Sequence, residues 1–165
     1  MTTNNTIQVY TNEFTPEIHS SLDISPFNAE TLSTLSDESL AIIREQDAYI
    51  HAHLPVGIFR FAAEGSQTRD GGTVKIASSG VMINLKNGVP VQLAQVGDSV
   101  IYLDGASAVI TTGAGKQHRF GEAEVALVGS RLDNGDEIIN TPQDSLLIIQ
   151  RSGEAMPVDF LVECP

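Results

Sequence analysis

Gly97-Asp-Ser-Val-Ile-Tyr-Leu-Asp-Gly105 begins on a glycine and reaches a glycine turn eight residues later. Gly65-Ser-Gln-Thr-Arg-Asp-Gly-Gly72 and Gly129-Ser-Arg-Leu-Asp-Asn-Gly135 repeat the plan on either side of it. From Gly65 to Gly97 and from Gly97 to Gly129 is 32 residues each time, so the last two thirds of the chain reads as one structural unit written three times. Gly65, Gly72, Gly97, Gly105, Gly129 and Gly135, with Asp98, are read as structural turn residues, because tight corners favour a residue without Cβ.

Between these corners lie short β-prone runs: Thr73-Val-Lys-Ile76, Val81-Met-Ile-Asn84, Val89-Pro-Val-Gln-Leu93, Ser99-Val-Ile-Tyr-Leu103 and Ala108-Val-Ile-Thr111. Glu124-Val-Ala-Leu-Val128, Ile138-Ile139, Leu146-Leu-Ile-Ile-Gln150 and Val158-Asp-Phe-Leu-Val162 continue the series. Short strands at regular spacing with turn signals between them predict a mainly β unit of pseudo-three-fold character over residues 61–165, turning often and holding no long flat sheet. Aromatic residues are 5% of the chain and tryptophan is absent, which predicts a small or drawn-out core.

Residues 1–60 are a different kind of sequence, with eight acidic against two basic residues and a single glycine, Gly57. They read as a partly helical N-terminal extension. Ile7-Gln-Val-Tyr10 suggests a short strand, and Ser25-Pro-Phe-Asn-Ala-Glu30 a turn leading into a helical turn. A helix is predicted over about 37–53. Ser36 is its N-cap, Asp37 and Glu38 suit the positive end, and Pro55 forbids continuation. Leu40, Ile43, Ile50 and Leu54 make an apolar stripe at helical spacing, for packing on the rest of the chain or for docking a partner or cargo. The extension is expected to be removable without unfolding the β part.

The formal charge of −12 and the lack of Lys/Arg clusters argue against nucleic acid and anionic membrane surfaces as partners. No stretch approaches a membrane span and the N-terminus lacks a signal-peptide pattern, so the expectation is a soluble, cytoplasmic product. Cys164 is the only cysteine, excluding an internal disulfide and a cysteine-rich zinc site. No nucleophile elbow, phosphate-binding loop or His-Glu-x-x-His motif is present, so no enzyme is predicted.

The repeats resemble the PAAR-repeat proteins that tip the spikes of type VI secretion systems and related contractile injection machines. Gly65 to Gly72 follows the family's first block. Ser78-Ser-Gly-Val-Met-Ile-Asn84 with Asn87-Gly88 follows the second, and Val89-Pro-Val-Gln-Leu-Ala-Gln-Val-Gly-Asp98 the third, with two extra residues. A looser copy runs from Ile110-Thr-Thr-Gly113 through Phe120-Gly121 to Ala126-Leu-Val-Gly-Ser130. The resemblance spans about residues 62 to 150. It implies a small conical β-repeat unit seated as one copy on a trimeric VgrG-type spike, its pseudo-three-fold matching the trimer. Such a protein sharpens the spike, carries an effector or other cargo on its extension, and is cytoplasmic until assembled and then expelled with the spike. The tip of a phage-like or extracellular injection particle is an alternative, as is a free β-repeat module binding carbohydrate or another ligand, though few aromatics are available for sugar stacking.

The departures from the family are specific. Where the family holds zinc with histidines and a cysteine, the corresponding positions here are Asp70, Tyr102, Asp104 and Asn134. None is a soft ligand, so the expectation is no zinc and no cofactor. Structural zinc in small domains is worth roughly 10–16 kcal/mol, and its loss calls for side-chain hydrogen bonds or another ion in its place. Asp70, Asp104, Asp133, Asn134, Asp136 and Glu137 offer oxygens for a hard cation such as calcium, against the plainer reading that they serve their turns. His51-Ala-His53 falls at a helix end, where residues two apart diverge and histidine compensates the dipole.

Overall fold

The computed structural model describes residues 8–23 and 27–162. Ile7, Ser25, Pro26 and Cys164 lie outside them, so the starts of two expected elements and the lone thiol do too. Among the described residues helices hold 18%, and strands together with isolated bridges 28%, which corrects the mainly β expectation to a mixed one. The physical reason is that the strands are two to six residues long and much of the pairing is through isolated bridges. Among the described residues eight strands form four two-stranded sheets, β1–β8, β2–β3, β4–β5 and β6–β7, and none closes into a barrel. Their bounds are β1 Pro55–Arg60, β2 Met82–Asn84, β3 Pro90–Gln92, β4 Ser99–Ile101, β5 Ser107–Val109, β6 Arg119–Phe120, β7 Ala123–Glu124 and β8 Leu147–Arg151. Among the described residues no helix is long and apolar enough to cross a membrane.

The chain divides into two compact units. The helical unit spans residues 13–58 with 149–155 and carries α1 (Pro16–Ser21), α2 (Ala29–Ser33) and α3 (Asp37–Ala52). Each helix starts on a side chain that accepts a backbone N–H: Thr15 from Ile18, Asn28 from Thr31 and Ser36 from Ser39. α3 ends on His53, two residues before Pro55. It has no buried residue: Leu40, Ile43 and Ile50 are half-buried, and Leu54 is exposed along with Ile42 and Tyr49. Within this unit Arg151 grips the Asp23 carboxylate with two nitrogens, at 2.9 and 2.5 Å, and donates to His53 O. That grip, offset in part by burial, holds the Asp23 carboxyl below the usual range.

The β unit contains residues 59–148 with the chain's first twelve and last ten residues. Its repeat begins as a turn. Ser66, Asp98 and Ser130 each donate a backbone N–H to the carbonyl three residues back, at Ala63, Gln95 and Leu127. The third residue of each turn is Gly65, Gly97 or Gly129, at φ +98°, +99° and +105°, where any Cβ is strained. The same three side chains accept in return: Ser66 Oγ from Ala63 N, Asp98 Oδ2 from Gln95 N, Ser130 Oγ from Leu127 N. Each glycine N–H then reaches across a hairpin, to Val74, Ile110 or Ile138 O.

Three such copies join head to tail. Ala94 N donates to Ala62 O, Ala126 N to Ala94 O, and Ala62 N to Ala126 O, all at 2.9–3.0 Å, so the three alanines form a closed ring at 32-residue steps. A second ring runs Glu64 N to Gln92 O, Val96 N to Glu124 O and Val128 N to Arg60 O. A third runs Arg69 N to Glu137 O, Ile101 N to Thr73 O and Asp133 N to Val109 O. Ala62, Ala94 and Ala126 have no exposed surface, and Val74, Ile110 and Ile138 make the apolar layer beside them. Alanine is what this geometry demands, because three backbones meet at hydrogen-bond distance and leave room for little more than a methyl group.

Residues 10–12 are also built into this unit. Tyr10 exchanges both backbone hydrogen bonds with Thr141, Asn12 Nδ2 donates to Val128 O at 2.7 Å, and Asn12 Oδ1 accepts Arg60 N at 2.8 Å. Three expected strands fail, Ile138-Ile139 among them, which contributes only a bridge at Ile138. Thr73 to Ile76 contributes only bridges at Thr73. Val158 to Val162 is a turn in which Leu161 takes φ +55° and donates to Gly113 O. It turns because Phe160 and Leu161 both pack into the cluster of Ala114, Val125 and Leu127, which an alternating strand would not allow. β1 and β6 had no counterpart among the expected strands, and β7 meets the expected 124–128 run only at Glu124, with bridges at Val125 and Leu127.

Candidate functional site

Three hairpins, residues 65–74, 97–110 and 129–138, run out from the glycine turns. Each reverses in a four-residue turn closed by Gly71, Gly105 or Gly135, whose N–H returns to Thr68, Tyr102 or Leu132 O. These glycines lie at φ +92°, +87° and +85°. Gly72 departs from the turn reading: its φ is not left-handed, and the constraint is space. A Cβ there would stand 2.3 Å from Val100 Cγ1.

The hairpin ends are tied through one carboxylate. Asp136 has no exposed surface. Its Oδ2 accepts the Tyr102 hydroxyl at 2.5 Å, and its Oδ1 accepts Asp70 N at 3.1 Å and Glu137 N at 2.8 Å. Thr68 also hydrogen-bonds the carboxylate. The Tyr102 oxygen accepts from Asn134 Nδ2 at 2.9 Å, so its proton and a lone pair are both engaged. All three hairpins therefore converge on Asp136. Burial pushes its carboxyl up, but the donors outweigh that and hold it below the usual range. Burial and the Asp136 bond together raise the Tyr102 hydroxyl above its ordinary value. Arg69 NH2 lies 4.0 Å from Asp136 Oδ1 and donates to Gly135 O at 2.9 Å.

Of the four positions that correspond to family zinc ligands, the fold brings three together. Asp70 contributes its backbone N–H, and Tyr102 and Asn134 their side chains. Asp104 stands apart: its Oδ1 accepts Ala106 N within its own turn. The residue that organises the site is Asp136, buried and drawing donors from residues 34 and 68 positions away, at Tyr102 and Thr68. In the sequence it stood only as one of six oxygen-bearing residues, read as serving a turn or a hard cation. This donor set does not fit a tetrahedral zinc. No soft ligand is present, and the carboxylate's lone pairs point at N–H and O–H groups beside a guanidinium. Among the described residues no group of three or more His, Cys, Asp or Glu is placed to hold a metal ion. His51 and His53 diverge, their Nδ1 atoms bonding Asp47 O and Ser152 O. Chemically the arrangement clamps: hydrogen bonds to a buried charged group contribute about 1.5–3 kcal/mol each, as long as every donor stays in place.

No protein-family model matches this chain, and no curated protein or solved structure matches it either.

Proposed function

We propose that the chain is a PAAR-like spike tip: a conical β-repeat unit that seats one copy on the end of a trimeric VgrG-type spike. The observation that carries this reading is the closure of three backbone hydrogen-bond rings, the first two at 32-residue steps throughout. A trimer's end presents three equivalent edges, and a single chain meets all of them only by offering three equivalent faces in register. In this reading the Asp136 clamp does the work of the family's metal at the converging hairpin ends, and the tip acts mechanically, with no metal and no turnover. The helical unit, with Leu40, Ile43 and Ile50 on α3 and Leu54 just past its end, is the place for an effector or other cargo, and the assembled tip leaves the cytoplasm with its spike.

A binding assay tests the reading. Immobilised trimeric spike protein from the same source is expected to retain the purified chain, and a monomeric fragment of that spike to retain none. Equal retention by trimer and fragment, or by neither, overturns it.

A further inference from the structure

The three faces between neighbouring hairpins are not equally closed. In two of them the ladder continues past the third ring: Ile139 N donates to Gln67 O at 2.9 Å and Thr111 N to Arg131 O at 2.8 Å. The opposing amides are satisfied as well, Gln67 N by Asn140 Oδ1 and Arg131 N by Thr112 Oγ1. In the remaining face Ile101 and Thr73 exchange both backbone bonds at 2.9 Å. By strand alternation the next pair is Ser99 with Lys75. No hydrogen bond joins them, and among the described residues the main chain of Lys75 and Ile76 has no hydrogen-bond partner.

The cause lies one residue away. Asp98 occupies the place of Ser66 and Ser130, and its longer side chain reaches Ser78, accepting the Ser78 hydroxyl and, at 3.3 Å, its N–H. Ala77 N is held by Glu64 Oε2 at 3.1 Å. The strand is thus pinned beyond Ile76 and stands off from β4. Between them an open groove of about 490 Å³ is lined by Lys75, Ile76, Ser99 and Ile101 together with Ser78 and Asp98, whose carboxylate is taken up by the Ser78 and Gln95 donors. Ile76 is 78% exposed, and Lys75 is exposed with no carboxylate within ion-pair distance among the described residues.

We infer that this groove is a strand-addition site for an extended peptide of a partner protein, one carrying a carboxylate flanked by β-branched residues. Ser99 offers a main-chain donor and acceptor on the outer edge of β4, which an extended chain satisfies as one residue of a ladder. Alternate aliphatic side chains of the guest cover Ile76 and Ile101, and its carboxylate meets the Lys75 ammonium. The inference rests on the open main-chain groups and the groove alone and does not depend on the spike reading.

The test is amide hydrogen exchange by NMR on the full-length chain, with the synthetic peptide acetyl-Thr-Val-Glu-Val-Thr-amide as probe. In the free protein the Ser99 and Lys75 amides are expected to exchange on the order of 100-fold faster than those of Thr111 and Ile139. Millimolar peptide is expected to slow Ser99 exchange about tenfold. The same peptide N-methylated on its three central residues gives no protection. Lys75→Glu, whose own exchange map establishes that it is folded, weakens binding about fivefold. The inference is overturned if Ser99 and Lys75 are already as protected as Thr111. It also fails if the peptide leaves Ser99 unchanged, or if the N-methylated peptide binds equally well.

Discussion

The Tyr102 hydroxyl donates to Asp136 Oδ2 at 2.5 Å, joining the ends of two hairpins whose residues are 34 positions apart, and both side chains are held by further hairpin contacts. Tyr102→Phe removes one donor from a fully buried carboxylate, and about 1–3 kcal/mol of stability is expected to go with it. Asp136→Asn turns an NH2 group toward donors and is expected to cost at least as much. Asp104→Ala, which loses only a turn contact, is expected to cost under about 1 kcal/mol. Urea denaturation of the three variants checks the order.

The same pair sets a pH profile. The Asp136 carboxyl is held below its unfolded value of about 3.9, so its contribution is complete above that pH and is lost as the pH falls through the lower folded value. The Tyr102 hydroxyl is raised above about 10, so its contribution is complete below that pH and is lost as the pH rises through the higher folded value. Denaturation across both flanks is expected to show the gap between wild type and Asp136→Asn narrowing in acid. The alkaline loss specific to Tyr102 is expected to be absent in Tyr102→Phe.

Gly72 and Gly97 are constrained by different physics. At Gly97 a Cβ meets nothing within 4 Å but must adopt φ +99°, for an expected cost of about 1–2 kcal/mol in Gly97→Ala. At Gly72 the Cβ collides with Val100 Cγ1, and Gly72→Ala is expected to cost about 1–3 kcal/mol. Val100→Ala should recover part of the loss at Gly72 and none at Gly97, which a double-mutant cycle reads directly.

Contrary to the expectation from the sequence that residues 1–60 are removable, the β unit is expected to need its N-terminal strap, because Asn12 and Arg60 belong to it. Arg60 is 6% exposed, and its Nε and NH1 donate to Thr11 O at 2.7 Å and Asp144 O at 3.1 Å. Removing residues 1–60 deletes Arg60 and the strap together and strands Val128 N without its ring acceptor. Asn12→Ala alone breaks two hydrogen bonds, at an expected cost of about 1–3 kcal/mol. Thermal unfolding is expected to show the 1–60 deletion well below the full chain, and an unchanged midpoint would contradict the role given to the strap.

How far the sequence could be read followed from how local each constraint is. Gly65, Gly97 and Gly129 were legible because a left-handed backbone is a property of one residue, and Ser36 because an N-cap speaks within three. Ala62, Ala94 and Ala126 keep the same 32-residue step but pass as ordinary small residues until their backbones are seen to meet. Asp136 was legible only as one of six oxygen-bearing residues for a turn or a hard cation; its role as the buried clamp was not, because its burial is decided by Thr68 and Tyr102 on other hairpins. The alternation over 158–162 misled because Phe160 and Leu161 are claimed by one cluster.

The most direct measurement of the central claim is native mass spectrometry of the purified chain mixed with a trimeric VgrG-type spike from the same source. One chain per three spike subunits, persisting when the tip is in excess, is the predicted result. Three chains per trimer, or a monomer indifferent to the spike, would contradict it, because the hydrogen-bond rings would then have no three-fold partner to match.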